Sequence, residues 1–420
     1  MIGQAPVRVA QVDLADPIRD IDCIRPDGSL YGAAWILVRH GGRPLGNLLL
    51  EVADGKVSAE SLRDAIASTF PASPSLRSLS SALPRVSVIV PTAMTRGEQL
   101  QACITSLDAL DYPDYEVIVV DNRRGEHLPI DLAGVSVVRE RRPGLSAARN
   151  AGLAEATGDI IAYTDDDVEV DSNWLRAITA PFVEDPRTAI VTGSVLPYEL
   201  ETDAQLWFEE YYGALLGREY APVRFERTGL FAIKRTALTT GAERVYSIYK
   251  TDELGIGANM ALRASVLRDL GGFDLALGAG TPSGAGEETA VFIELLMKRH
   301  ALVFEPSAIV WHKHRDTFTA LEQQTYSYGV GMTAMFAALL LHKPVHFLGL
   351  ALVLPAWLRL RLNPGSGLDA VVDEDPFRAS LDQRRRNGLV RGPLTYLRGT
   401  WMQRRWRSAP APATPVDGAQ

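Results

Sequence analysis

Short β-branched runs alternate with amphipathic stretches through the middle of the chain. The runs at 86–90, 116–120, 135–138 and 159–163 are apolar at all but one position each, as expected of buried strands. Between the first two, apolar residues recur at helical spacing: Leu100, Cys103, Ile104, Leu107 and Leu110. Repetition of strand, helix and strand predicts an α/β fold, with a Rossmann-like, mixed but mainly parallel sheet flanked by helices.

The regions on either side of this pattern differ from it. We expect residues 1–70 to form a small α+β accessory unit, with strands around Gly41-Gly42 and a helix near 58–68. Beyond Asp171 the alternation loosens, and the Gly-rich segment Ala276–Gly286 has the composition of a mobile loop. The predicted organisation is an accessory unit at 1–70, a Ser/Pro-rich linker at 71–84, an α/β domain at 85–322, a helical extension at 323–408 and a disordered tail at 409–420.

Composition narrows the functional classes. Hydrophobic residues make up 46% of the chain and charged residues 22%, which is typical of a globular protein. A net charge of −8 argues against a nucleic-acid binder. Cys23 and Cys103 are too few for a disulfide framework or a cysteine zinc site, and residues 1–17 show no signal-peptide pattern. We therefore expect a cytoplasmic protein.

Three adjacent carboxylates, Asp165, Asp166 and Asp167, follow the run at 159–163. Ligands of α/β sheets bind at the carboxyl ends of strands, where these side chains would lie. Like charges this close raise one another's pKa unless a cation neutralises them, and hard oxygen donors suit Mg²⁺ or Mn²⁺ with a diphosphate. Taken alone, the same residues could equally form an acidic turn in water.

Two further residues have candidate roles at the same edge. Asp121 ends the second run, where a carboxylate can accept a hydrogen bond from a ribose or a base. The turn after the first run (91–97) lacks a G-x-G-x-x-G pattern, which disfavours a dehydrogenase. Arg149 follows the Pro143-Gly144 turn and could bind a phosphate or a base carbonyl. A solvated turn for Asp121 and a surface salt bridge for Arg149 remain the alternatives.

Six segments in this order resemble glycosyltransferase family 2, whose members are inverting enzymes with the GT-A nucleotide-sugar fold. They are VSVIVPT (86–92), VIVVDN (117–122), GLSAARNAGLAEATGDIIAYTDDDV (144–168), GANMALRASVLRDLGGFD (257–274), GEE (286–288) and WHKHR (311–315). The resemblance covers about residues 85–320 and implies a GT-A glycosyltransferase domain at 85–322.

The resemblance implies a role for each matching position. Pro91, Thr92, Asp121, Arg149, Asp165, Asp166 and Asn259 would bind the nucleotide sugar; Asp167 and His312 would bind the metal; and Glu288 would be the catalytic base. Two positions depart from the family: the usual Glu-Asp pair is Glu287-Glu288, and Glu294 stands where Arg is frequent. We expect only one of the alternating His312 and His314 to face the site, with His314 solvated.

The expected function is transfer of a hexosyl or deoxyhexosyl group from a UDP-, dTDP- or GDP-sugar to a hydroxyl acceptor. A cell-surface glycan or a lipid-linked precursor is the expected acceptor, and Mn²⁺ or Mg²⁺ the cofactor. Single displacement needs a base near the acceptor hydroxyl and a cation to offset charge on the departing diphosphate. The alternative is a non-catalytic nucleotide-sugar-binding or scaffold protein with a degenerate site. A nucleotidyltransferase is disfavoured because no Gly-rich basic loop follows the first strand.

The C-terminal region suggests a membrane contact. Two apolar stretches, 330–341 and 347–358, are each shorter than the roughly twenty residues that cross a bilayer. Arginines and two tryptophans follow them, a combination that fits peripheral attachment to the anionic cytoplasmic face of a membrane. Two core helices followed by a solvated basic tail are the alternative.

Overall fold

The computed structural model describes residues 5–70, 83–95, 97–124, 132, 134–213, 215, 218–251, 253–352 and 376–408 of the 420-residue chain. Most of the predicted linker at 71–84, the predicted tail at 409–420 and the second half of the apolar stretch 347–358 lie outside the described residues.

The N-terminal unit is built from five strands and one helix: β1 (Val7–Asp13), β2 (Ile21–Asp22), β3 (Ala33–His40), β4 (Arg43–Glu51), β5 (Lys56–Val57) and α1 (Ala59–Thr69). Strands β1, β3 and β4 form one sheet, and β2 pairs with β5. One face of the unit packs on the α/β domain, where Trp35 and Leu37 join a buried cluster with Leu196. The buried Arg39–Asp171 ion pair (2.6 Å) also joins the two parts.

The α/β domain surrounds one large sheet. Its strands are β6 (Val86–Thr92), β7 (Tyr115–Asp121), β8 (Ser136–Arg139), β9 (Ile160–Thr164), β10 (Val168–Val170), β11 (Thr188–Pro197), β12 (Val223–Arg227), β13 (Ala232–Ala237), β14 (Glu243–Ser247), β15 (Asn259–Arg263) and β16 (Ala301–His312). Its helices are α2 (Gly97–Asp108), α3 (Leu145–Glu155), α4 (Trp174–Glu184), α5 (Asp203–Phe208), α6 (Ala264–Leu270) and α7 (Glu287–Met297), with a π-helical turn at Glu209–Gly213.

The order along the sheet is β14-β13-β12-β16-β11-β15-β9-β6-β7-β8, with β10 paired to β16. Seven of the eleven strands run in one direction, namely β6, β7, β8, β9, β11, β13 and β16. The remaining four, including β15 between β9 and β11, run antiparallel to their neighbours. The predicted α/β class with a mixed, mainly parallel sheet is confirmed.

Strand β16 is much longer than the apolar run at 301–304 that predicts it. Its pairing with β11 shifts register between Gly193 and Ser194, so that their partners jump from Glu305 to Ile309. This irregularity accommodates Pro306, which cannot donate a ladder hydrogen bond. The strand therefore continues to His312, which it delivers to the same region as the aspartates.

Two long helices complete the described chain: α8 (Phe318–His342) and α9 (Pro376–Ser408), with a helical segment at 345–352 after α8. Glycines let α8 and α9 approach closely, because a Cβ on Gly388 or Gly392 would overlap atoms of α8. Among the helices in the described part of the chain, none combines the length and the apolar character required to span a bilayer.

Candidate active site

A large cleft of about 3160 Å³ opens at the carboxyl ends of β6 and β9. It is lined by eight of the predicted site residues: Pro91, Thr92, Arg149, Asp165, Asp166, Asp167, Glu288 and His312. Side chains from two distant stretches of the chain, 165–167 and 287–288, therefore face one space. The opposite wall comes from α8 and α9, through residues such as Tyr328, Asp382 and Arg385.

The three aspartates are held in different ways. Thr92 Oγ1 donates a 2.6 Å hydrogen bond to Asp166, which fixes the middle carboxylate against the end of β6. Asp165 remains partly exposed to the cleft, whereas Asp167 is 6% exposed. Burial and the neighbouring Asp167 carboxylate raise the pKa of Asp165, against the opposing effect of Arg149.

Arg149 connects the two acidic groups. Its side chain leaves α3 and is 1% exposed. The guanidinium lies 2.8 Å from Glu287 Oε1 and 3.6 Å from Asp165 Oδ1, and it donates to the Gly257 carbonyl at 3.2 Å. A buried charge this well paired fixes the relative positions of its partners. The alternative of a surface salt bridge for Arg149 is wrong.

The two glutamates at the start of α7 have separate environments. Glu287 is 4% exposed, and its Oε1 is paired with Arg149. Burial and the adjacent Glu288 raise the pKa of Glu287 to about 8, against the opposing effect of Arg149. Glu288 lines the cleft, and its Oε2 is buried without a hydrogen-bond partner. Glu287 Oε2 is likewise buried without a hydrogen-bond partner, so the two carboxylates differ in that Oε1 of Glu287 is paired with Arg149.

A chain of polar side chains runs inward from Asp167. His312 Nε2 lies 3.4 Å from Asp167 Oδ1, and His312 Nδ1 lies 2.9 Å from His314 Nδ1. His314 Nε2 then donates to Glu209 at 2.7 Å, and Glu209 pairs with Arg218 at 2.6 Å. Burial opposes charge on both rings, yet the Asp167 carboxylate raises the pKa of His312; burial lowers the pKa of His314.

This geometry corrects two expectations about the histidines. His314 is 5% exposed rather than solvated. The two rings lie on the same side of the segment, because residues two apart along an extended chain share a face. His312 still faces the aspartates, as expected. Glu209 and Arg218 had no sequence signal, because an acidic residue that begins a π-helical turn and an arginine nine residues later match no spacing rule.

Asn259 requires a correction. It is fully buried and does not line the cleft. Its amide donates to the Ser194 and Ala308 carbonyls at 2.8 and 2.7 Å and accepts from Trp174 Nε1 at 2.9 Å. These three bonds leave the side chain no route to a sugar, so its role is to join β15, β11 and β16. The predicted sugar contact is wrong.

Asp121 lies at the edge of the cleft but is covered. Its carboxylate receives a bidentate contact from Arg123 and a 3.3 Å contact from Arg139, and it is 4% exposed. Burial opposes its ionisation, but Arg123 and Arg139 hold its pKa below the ordinary value. Arg123, not Asp121, lines the cleft. A nucleobase bound in the cleft would therefore reach only the edge of the ion-paired Asp121 carboxylate.

The Gly-rich segment before α7 is tied to the start of α3. Leu145 N donates to the Ala279 carbonyl at 2.9 Å, and Ser146 Oγ donates to the Leu277 carbonyl at 2.8 Å. Ala279 and Gly280 line the cleft. Glu294, the other departure from the family pattern, contacts His346 at 3.1 Å and also pairs with Lys343, so it belongs to the packing of α7.

Comparisons with known proteins relate this chain to glycosyltransferases. The sequence profile described as Glycosyl transferase family 2 matches residues 87–270. A pre-mycofactocin glycosyltransferase of Mycobacterium tuberculosis is 27% identical over 332 residues, or 76% of this chain; the chain spans 61% of that relative's length. A glucosyl-dolichyl phosphate glucuronosyltransferase of Haloferax volcanii is 24% identical, over 60% of this chain and 77% of its own.

Among solved structures, a mannosyltransferase from Pyrobaculum calidifontis in complex with GDP-Man and Mn²⁺ aligns with a TM-score of 0.43 and 17% identity. That alignment covers 83% of this chain and 95% of the other. The profile match spans the strands that carry the aspartates and much of the cleft wall, and the curated relatives align beyond it. Over residues 87–270 the chain is therefore similar to glycosyltransferase family 2, and over most of its length it is similar to a glycosyltransferase.

Proposed function

We propose that this chain is a metal-dependent inverting glycosyltransferase. It would move a sugar from a nucleoside-diphosphate carrier to a hydroxyl group of a cell-surface glycan or a lipid-linked precursor. The observation that carries the proposal is the convergence of Asp165–Asp167 and Glu288 on one cleft, where Arg149 contacts both Asp165 and Glu287. The aspartates would serve the diphosphate end of the donor, and Glu288 would serve the acceptor.

The donor would lie along the carboxyl ends of β6, β7 and β9. Pro91 and Thr92 would border the nucleoside, with Asp121 reaching it at the edge. Asp165 and Asp166 would face the ribose and the diphosphate. Arg149 is too enclosed to reach a base, so we assign it to holding Asp165 and Glu287 in register. A UDP-, dTDP- or GDP-linked sugar fits this arrangement equally.

Asp167 and His312 would hold the metal. No group of three or more His, Cys, Asp or Glu side chains in the described residues is arranged to bind a metal by itself. Asp167 Oδ1 and His312 Nε2 are 3.4 Å apart, close to the spacing of about 3 Å for adjacent ligands of a small octahedral ion. Mn²⁺ or Mg²⁺ held by two protein ligands keeps positions for diphosphate oxygens. When bound, it would offset the charge of the departing nucleoside diphosphate.

Glu288 would act as the general base. Its unpartnered Oε2 can accept the proton of the acceptor hydroxyl while that oxygen attacks the anomeric carbon and the bond to the diphosphate breaks. Attack from the face opposite the leaving group inverts the anomeric configuration. Glu287 Oε2 is also unpartnered, but Oε1 of Glu287 belongs to the buried ion pair with Arg149, so we assign the base to Glu288.

We also propose work at a membrane surface, on the cytoplasmic face. The Haloferax relative is named for a dolichyl phosphate-linked sugar, which is a lipid-linked acceptor. The exposed apolar residues near the end of α8, including Leu341, Phe347 and Leu348, support a peripheral contact of the same region.

The test begins with a thermal-shift panel of UDP-, GDP- and dTDP-sugars with Mn²⁺ or Mg²⁺. One donor series should raise the apparent stability, since ligand binding to the folded state stabilises it by mass action. With that donor, Glu288→Gln should keep binding but lose turnover by about 10²-fold or more. Asp167→Ala should weaken the metal-dependent shift itself.

Glu60→Gln is the matched control, because Glu60 is also an acidic residue in the first turn of a helix, away from the cleft. Donor binding without hydrolysis or transfer by the wild-type chain would instead favour a non-catalytic nucleotide-sugar-binding protein. Equal turnover in wild type and Glu288→Gln would reject the assignment of the base.

A further inference from the structure

Helix α9 concentrates positive charge in an acidic protein. It contains nine arginines and one aspartate, a formal charge of 9 − 1 = +8, whereas the whole chain carries −8. The sequence outside this helix therefore carries −16 by the same count. Such segregation creates a local field opposite in sign to that of the rest of the molecule.

One face of α9 is committed to packing. Gly388, Gly392 and Tyr396 are buried there, and Tyr396 OH contacts His342 at the end of α8 at 2.8 Å. A Cβ on Gly399 would lie 2.9 Å from the Ala276 carbonyl. The helix is thus held firmly against α8 and the segment before α7.

The opposite face is apolar and exposed. Val390, Leu394, Leu397 and Trp401 are 79%, 71%, 53% and 52% exposed. At 3.6 residues per turn, these four positions fall within about 60° of one another around the helix axis. They form a continuous stripe that points away from the packed face. In this article they are called the α9 stripe.

Arginines flank the α9 stripe on both sides. Arg391, Arg398 and Arg405 lie on one side of it and Arg404 on the other, each within about 100° of Val390 by the same helical geometry. All four are exposed. The Arg405 guanidinium stacks over Trp401 at 3.9 Å from the ring centre. An apolar stripe with an indole and basic borders has the composition of a helix that lies in the headgroup region of a bilayer.

We propose that the α9 stripe docks on an anionic lipid surface, with α9 lying parallel to the membrane plane. The apolar side chains would enter the boundary of the acyl chains, and the arginines would contact lipid phosphates. This inference rests on the proposed function and deepens it: it selects a lipid-linked acceptor. The reason is that Asp382 and Arg385, on the first turns of the same helix, line the catalytic cleft. One rigid element therefore connects the membrane surface with the cleft wall.

A second copy of the chain is a poorer occupant for the same face. Pairing two α9 stripes around a twofold axis would bring their arginine borders together, and like charges at that distance repel. Anionic headgroups instead complement those borders. Charge thus favours lipid over self-association.

The experiment is flotation of the full-length chain with vesicles. Phosphatidylcholine vesicles are compared with vesicles containing about one third phosphatidylglycerol, at low and high salt. We expect binding to the anionic vesicles that weakens in 0.5 M NaCl, because the surface attraction is screened. Leu394→Glu should lower the partition coefficient about tenfold or more. Arg391→Gln with Arg398→Gln should lower it on anionic vesicles while leaving weak binding to neutral ones.

Leu30→Glu is the matched control, since Leu30 is 55% exposed but belongs to the N-terminal unit. Flotation that is equal for wild type, Leu394→Glu and Leu30→Glu would overturn the inference. So would failure to float combined with a dimer, by light scattering, that Leu394→Glu dissociates. Leu394 does not line the cleft, so hydrolysis of a soluble donor should be unchanged in Leu394→Glu. Loss of flotation with intact hydrolysis then separates this inference from the proposed function.

Discussion

The bridge formed by Arg149 gives the sharpest prediction for stability. Replacing Arg149 by Met keeps an apolar stem but leaves the Glu287 carboxylate, 4% exposed, without its cation. At pH 9, where Glu287 is ionised in the folded state, breaking a buried ion pair by removing one partner costs about 3–5 kcal/mol. For a chain of this size we expect the midpoint of thermal unfolding to fall by about 5 °C or more. Differential scanning fluorimetry measures this directly.

The cost should depend on pH in a defined direction. The folded-state pKa of Glu287 is about 8, above its ordinary value of 4.5. The folded state therefore retains a proton that the unfolded state loses, and this contribution to stability disappears as pH rises from 4.5 through 8. Without Arg149 the ionised Glu287 carboxylate loses its stabilising cation, so the loss of stability in Arg149→Met should be larger at pH 9 than at pH 6.

A double variant tests the reasoning. Glu287→Gln removes the unpaired charge, so Arg149→Met with Glu287→Gln should recover more than half of the loss and flatten the pH dependence. Arg176→Met is the control, because its pair with Asp111 is solvent-exposed and should contribute less than about 1 kcal/mol. A double variant no more stable than Arg149→Met would refute the bridging role. So would a cost of Arg149→Met below about 1 kcal/mol at pH 9.

Three further predictions concern the neighbouring contacts. His314→Phe should weaken Mn²⁺ binding, titrated by electron paramagnetic resonance, by about 10–100-fold because His312 loses the partner that orients its ring; His346→Phe, another buried histidine paired with a glutamate, should not, and equal losses in both would point to general destabilisation. Asn259→Ala should lower the free energy of urea unfolding by about 2–4 kcal/mol, because buried polar groups are left unpaired, and it should not change the donor Kd of the folded protein. A weaker donor affinity in fully folded Asn259→Ala would instead support a direct contact between Asn259 and the sugar. Gly392→Val should separate α9 from α8 and speed proteolysis within α9, and unchanged cleavage would contradict the close packing.

The aspartate triplet shows why part of the site could be found from sequence. Its location depends only on a strand ending where it does, and β9 ends at Thr164, as the apolar run at 159–163 predicts. The same local logic placed Thr92 at the end of β6 and Glu288 in the first turn of a helix. Predicting each of these positions requires only the element that carries it and the residue where that element begins or ends. It does not require knowing what packs against the element.

Asn259 and His314 show where such logic fails. A buried amide and a cleft-facing amide have the same local sequence; only the approach of β11 and of the bulged part of β16 satisfies Asn259 internally. Likewise, His314 is buried where the π-helical turn brings Glu209 Oε1 within 2.7 Å of its Nε2. Contacts between residues 49 to 105 positions apart have no periodic signature.

The sequence by itself determined the strand ends, the acidic groups at two of them and the family pattern, since these follow from local periodicity and from residue chemistry. Only the tertiary structure decided that Arg149 is buried between Asp165 and Glu287, that His312 and His314 contact each other, and that α9 turns its apolar stripe outward. The physical reason is that burial and pairing are set by whichever element lies opposite. In a sheet whose neighbours in space are distant in the chain, local sequence does not specify that partner.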